Sequence, residues 1–154
     1  MTRRMKYTLG AIAAVALSTA AFASEVAPDA VEYGDEGVMT SLTGVAGDPA
    51  AGAETFKSRK LGNCLACHAN PDMAGEQFHG NVGPSLEGVA DRWEEPMLRA
   101  IVANSKQIFT EETIMPGFYS LDVGKHVRES LKGETILTAQ QVEDVVAYLG
   151  TLTE

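Results

Sequence analysis

Cysteine is almost absent from this sequence: 154 residues contain two, Cys64 and Cys67. Two thiols three positions apart cannot staple distant segments, and none is left over as a catalytic nucleophile. Aromatic residues are scarce, 6% with Trp93 the single tryptophan, so few large rings are available to fill a core. Basic residues are outnumbered, 12 Lys and Arg against 21 Asp and Glu, which argues against a nucleic-acid partner. Long apolar runs are missing beyond the first two dozen residues.

The one apolar run, residues 9–21, follows Arg3, Arg4 and Lys6 and ends at the small-x-small stretch Ala21-Phe22-Ala23. This pattern predicts a secretory signal peptide over residues 1–23, a mature chain starting at Ser24, and a periplasmic location. The general secretory route fits better than twin-arginine export, despite Arg3-Arg4. The run is short of the ~20 residues a bilayer span needs, so no membrane span is expected after processing. Without residues 1–23, nine basic residues face 21 acidic ones, a formal charge of −12. In an oxidising compartment the two thiols must form a local disulfide, a metal site or a cofactor attachment.

Residues 24–47 read as an acidic, loosely held arm carrying Glu25, Asp29, Glu32, Asp35 and Glu36, and residues 48–154 as one domain. Asp48-Pro49 predicts a helix start, with Gly52, Ala53 and Phe56 at helical spacing and Gly62 stopping the helix after about Leu61. Residues 63–88 contain Pro71, Pro84, Gly75, Gly80, Gly83 and Gly88. A loop of that length in a small domain points to function. A second helix is predicted over about 93–104, with Pro96 in its first turn and Trp93, Met97, Leu98 and Ile101 as its apolar face. Another irregular stretch surrounds Met115-Pro116-Gly117. The last helix is the clearest: Thr138 and Gln141 form a capping box, and Val142, Val145, Val146, Leu149 and Leu152 form a stripe. Glu143 and Asp144 fall early in it, where the helix dipole favours negative charge. Repeats and paired strands are not evident, so the fold class is all-α with long loops and something other than aromatics at its centre.

Cys64-Leu65-Ala66-Cys67-His68 is the C-x-x-C-H pattern of c-type haem attachment. Two thiols add across the two haem vinyl groups, and the following imidazole reaches the iron. A redox-active C-x-x-C would follow a strand, and a structural zinc site would need a fourth ligand. The expected cofactor is one covalent haem c. Candidates for the second axial position are Met73, Met97, Met115, His79 and His126. Met73 is too close in sequence to His68 to reach the opposite haem face easily, and Met97 lies on a core-facing helix position. Met115 lies in a Pro/Gly loop far enough along the chain to pass behind the ring and is the leading candidate, with His126 and His79 as alternatives. Pro84 is expected to offer its carbonyl to the other ring nitrogen of His68.

These features resemble the class I cytochrome c domain over about residues 48–152, with Gly52/Phe56 and Ala147-Tyr148-Leu149 at its helix crossing. Four segments in order are similar to the SoxX family of monohaem cytochromes: Leu61-Gly-Asn-Cys-Leu-Ala-Cys-His68, Val82-Gly-Pro-Ser-Leu-Glu-Gly-Val-Ala-Asp-Arg-Trp93, Thr113-Ile-Met-Pro-Gly-Phe-Tyr119 and Val142-Glu-Asp-Val-Val-Ala-Tyr-Leu149. The resemblance implies an electron-accepting subunit of a SoxAX complex, an L-cysteine S-thiosulfotransferase. Its partners would be a SoxA-like haem subunit, a SoxYZ-like carrier and a downstream acceptor cytochrome. It also implies that the catalytic haem lies on the partner chain, leaving no catalytic residue here. The competing expectations are a free cytochrome shuttling electrons between respiratory complexes and, with an open sixth ligand, an independent haem enzyme such as a peroxidase.

Overall fold

The computed structural model describes residues 25–154; the expected signal peptide and its cleavage site lie outside them. Helix α1, Pro49–Lys57, begins as its sequence dictates: the Asp48 carboxylate accepts from Ala50 N–H at 2.9 Å and Pro49 fills the first turn. It ends earlier than Gly62 suggested. Gly62 N–H donates back to Thr55 O at 3.2 Å and Asn63 N–H to Ser58 O at 2.9 Å, so residues 58–63 form a turn that aims the following segment.

Two further helices follow where one was predicted. A short helix α2, Val89–Arg92, starts after Gly88, which is held at φ +58. Trp93 lies in the extended joint behind it and is partly exposed, not on a helical apolar face. Helix α3 is Glu95–Ile108, with Pro96 in its first turn. Its buried arc is Leu98, Arg99, Ala100, Val102, Ala103 and Ser105, broader and more polar than the predicted stripe. The cause is its surroundings: α3 packs on the last helix and also receives the N-terminal arm.

Helix α4, Ala139–Leu149, carries the full capping box: Gln141 N–H donates to Thr138 Oγ1 at 3.2 Å and Thr138 N–H to Gln141 Oε1 at 3.0 Å. It crosses α1 at close range. A Cβ on Gly52 would stand 2.8 Å from Tyr148 Cβ and nearer still to the Asp144 carbonyl, so only glycine permits this approach. Phe56 is fully buried there and meets the Tyr148 ring edge-on, centroids 5.5 Å apart, a pairing that adds ~1 kcal/mol beyond its buried area.

The arm is packed, not loose. Val38 and Leu42 are core residues. Gly37, at φ +101, lies so close to α3 that a Cβ would strike the Pro96 carbonyl, and Val38 N–H donates to that carbonyl at 2.9 Å. Tyr119 Oη donates to Val26 O at 2.8 Å. Among the described residues there is no strand, only an isolated bridge between Gly34 and Gly37. No described helix is long and apolar enough to cross a membrane.

Arm, α3 and α4 meet at one buried ion pair. Arg99 and Glu143 side chains are each 4% exposed. Arg99 Nε donates to Glu143 Oε1 at 2.9 Å, Nη2 to Oε2 at 3.0 Å and Nη1 to Val38 O at 3.0 Å; Leu42 N–H completes the carboxylate at 2.7 Å. Burial disfavours the guanidinium charge, and the bonds to Glu143 and Glu95 outweigh it and raise the Arg99 pKa. Glu143→Ala removes the buried two-oxygen partner of the Arg99 guanidinium, leaving it only Glu95 and Val38 O, and is expected to lower stability by about 3 kcal/mol in urea denaturation of the holoprotein. The double variant Arg99→Met/Glu143→Leu should lose much less.

Candidate functional site

Cys64, Leu65 and Ala66 form a single 3₁₀ turn entered through Asn63, which is held at φ +50. Cys67 N–H and His68 N–H both donate to Cys64 O, at 3.1 and 3.0 Å. Both sulfurs and the imidazole are therefore presented from one rigid turn. All three residues are half-buried. Burial pushes the Cys64 thiol up to about 12 by disfavouring its thiolate.

The His68 ring is oriented by the loop that returns over it. Its Nδ1 lies 2.8 Å from Pro84 O. A carbonyl can only accept, so Nδ1 carries the proton and Nε2 keeps a free lone pair for a metal. Gly80 N–H donates to Leu65 O at 2.7 Å and Gly83 N–H to Cys67 O at 2.8 Å, tying this loop to the turn. A Cβ on Gly83 would fall 2.7 Å from both ring nitrogens.

Behind the turn lies a polar network that sequence reading missed. Asn70, 1% exposed, donates through Nδ2 to Tyr148 Oη at 2.9 Å, and Tyr148 Oη donates to Asp72 Oδ2 at 2.8 Å. Burial, reinforced by Asp72, raises the Tyr148 pKa well above its ordinary value near 10 and keeps the hydroxyl protonated. Asn70 N–H also donates to His79 Nδ1 at 3.2 Å, while His79 Nε2 lies 3.1 Å from Met73 O. Both nitrogens of His79 are thus occupied within the protein. The pattern Asn70-x-Asp72 with a tyrosine in the last helix carried no recognisable signal.

Met115 sits on a different loop, half-buried against the core, and its position follows from a break in α3. Asn104 leaves the helical conformation at φ −157, ψ 91. The carbonyls of Val102 and Ala103 accept instead from Phe118 N–H at 3.2 Å and Tyr119 N–H at 2.9 Å. Ser105 Oγ donates to Met115 O at 2.8 Å, and Lys106 Nζ holds Thr113 O and Glu111 O. The methionine loop is thereby stapled to the second half of α3. Met73 is buried in the core, Met97 is partly buried on α3 and His126 is exposed.

These residues fit a covalent haem. Among the described residues no three His, Cys, Asp or Glu side chains converge as a metal cage, so Cys64, Cys67 and His68 do not build a zinc site. The donor set is instead two sulfurs and one oriented imidazole on a turn, with a soft sulfur at Met115. Val82 and Ile114 expose apolar surface beside Gly83 and Met115, of the kind that lies against a porphyrin.

Comparison with known proteins agrees with that geometry. The family model for cytochrome c matches residues 49–153. Among solved structures, a chain of the crystal structure of SoxXA from P. pantotrophus is 43% identical, with a TM-score of 0.78 over 85% of this chain and 100% of that one. No curated protein matches the sequence. Gly83→Ala is expected to displace the His68 ring and to cut the haem covalently bound per chain by more than half, measured as haem absorbance against protein mass after maturation.

Proposed function

Because this chain belongs to the cytochrome c family, as a SoxX-type cytochrome with one covalent haem c at Cys64 and Cys67, we propose that it is the electron-accepting subunit of a periplasmic thiosulfate-oxidising complex. The observation that carries the reading is the 43% identity to SoxXA over the full length of the matched chain. In this reading residues 1–23 are a cleaved signal peptide, residues 24–47 an arm and residues 48–154 the cytochrome domain. The permanent partner is a SoxA-like haem subunit. A SoxYZ-like carrier is reached through the complex, and a separate cytochrome takes electrons onward.

Bound haem supplies one iron that holds or releases a single electron. His68, oriented by Pro84, would hold the iron through Nε2, and Met115 would supply a second, soft sulfur ligand. A thioether favours Fe(II) and raises the potential relative to a second imidazole, which suits an acceptor. Joining thiosulfate to a carrier thiol forms one S–S bond and releases two electrons and one proton. A one-electron centre must therefore be emptied twice per bond formed. With Cys64 and Cys67 spent on haem attachment and His68 and Met115 both holding the iron, this chain would offer no thiol nucleophile and no open iron site. Thiosulfate chemistry then belongs to the partner.

Two measurements test this reading. Gel filtration of the native protein, with mass and haem content on the same fraction, should give a stable heterodimer with a larger haem protein; a monomer sinks the subunit assignment. The ferric wild-type protein should ignore added cyanide, whereas Met115→Ala should bind it with a clear spectral shift. An unchanged Met115→Ala spectrum would remove Met115 from the iron.

A further inference from the structure

The loop that covers the haem-attachment turn carries one side chain that neither packing nor iron ligation uses. Phe78 is 73% exposed. Its backbone is at φ +68, a left-handed conformation that bulky side chains rarely adopt. Its neighbours explain how it is held there. His79 is locked between Asn70 N–H and Met73 O, and Gly80 N–H is bound to Leu65 O inside the attachment turn. With the next two residues pinned inward, the ring is turned outward. Arg59 stacks over it, its guanidinium carbon 5.3 Å from the ring centroid. Beside the ring opens a cleft of about 380 Å³ lined by Asn70, Pro71, Ala74, Glu76 and His79.

Charge singles out the same place. Lys57, Arg59 and Lys60 are three of the nine basic residues that follow position 24 in a strongly acidic chain. Lys57 is engaged by Glu54 at 2.9 Å and Glu76 at 3.2 Å. Among the described residues Arg59 and Lys60 form no ion pair, and both are exposed. An exposed aromatic ring and a stacked guanidinium therefore stand beside the segment that bears Cys64, Cys67 and His68, and the exposed Lys60 lies in the turn that leads into it.

We propose that Phe78, Arg59 and Lys60, with the adjoining cleft, form the docking face for a transient redox protein that presents an acidic rim and collects the electron from this haem. Opposite charge steers the encounter, and the ring gives it a dry contact. Brief electron-transfer encounters bury less than ~1,200 Å² in total, a contact that one exposed ring and two flanking cations can anchor. This deepens the proposed function, since it rests on the chain passing its electron to an external acceptor.

The test uses reduced holoprotein and an acidic copper protein, oxidised plastocyanin, as probe, with the bimolecular rate followed by stopped flow. Arg59→Glu should slow the reaction about tenfold at low ionic strength, with the difference closing as salt is added. Phe78→Asn should slow it about threefold at all salt concentrations; asparagine accepts the left-handed backbone, so this variant should fold as well as the parent. Lys125→Glu makes the same charge change on another exposed loop and should stay within about twofold. Wild-type rates in both patch variants would overturn the proposal. So would unchanged rates accompanied by loss of the heterodimer, which would make the patch a subunit interface. A patch-dependent rate in a protein that elutes as a monomer would instead retain the docking face and discard the subunit reading.

Discussion

Everything that positions the two loops depends on one buried ion pair, Arg99 with Glu143. Taking both charges out of water is costly, and the pair persists because none of its buried polar atoms lacks a partner: the carboxylate accepts from Arg99 and Leu42 N–H, and the guanidinium also reaches Val38 O and Glu95. Arm, α3 and α4 are thereby held in one register. An apolar contact of the same volume would bind the three segments without fixing their relative position so narrowly, because it lacks direction.

From that register the site follows in two directions. Helix α4 sets α1 through the Gly52 approach, and α1 delivers the turn of residues 58–63 into Cys64. Tyr148 on α4 meets the same segment again from behind, through Asn70 and Asp72. Helix α3, opened at Asn104, surrenders two carbonyls to the chain after Met115 and fixes that loop. The His68 imidazole and the Met115 thioether thus hang from different helices, whose spacing is set away from both side chains.

Features encoded within a few residues were legible in the sequence. Asp48-Pro49, the Thr138/Gln141 box and the apolar stripe on α4 from Val142 to Leu149 stand where local chemistry put them, while Leu152, expected in that stripe, lies past the helix end. The C-x-x-C-H spacing identified the cofactor for the same reason, since one turn carries the whole attachment. What was not legible depends on partners distant in sequence. Glu143 looked like a charge placed to suit a helix dipole, because its true partner is 44 residues away. The arm looked loose because its acidic side chains dominate its composition, while two buried apolar side chains, Val38 and Leu42, and its backbone carbonyls and amides do the binding. The break at Asn104 and the joint at Trp93 follow from backbone competition for carbonyls, which periodicity cannot register.

The bond from Leu42 N–H to Glu143 joins positions 101 residues apart. That separation orders events in time. During synthesis the arm and both cysteines are made long before the carboxylate that closes the structure. Contacts this distant in sequence also carry an entropic cost, because the loop they close must be drawn together. The thiols of Cys64 and Cys67 therefore spend the early life of the chain in an unclosed polypeptide, open to the machinery that joins them to haem. Placing the clasp near the C-terminus gives this protein an interval for covalent maturation before the fold shuts.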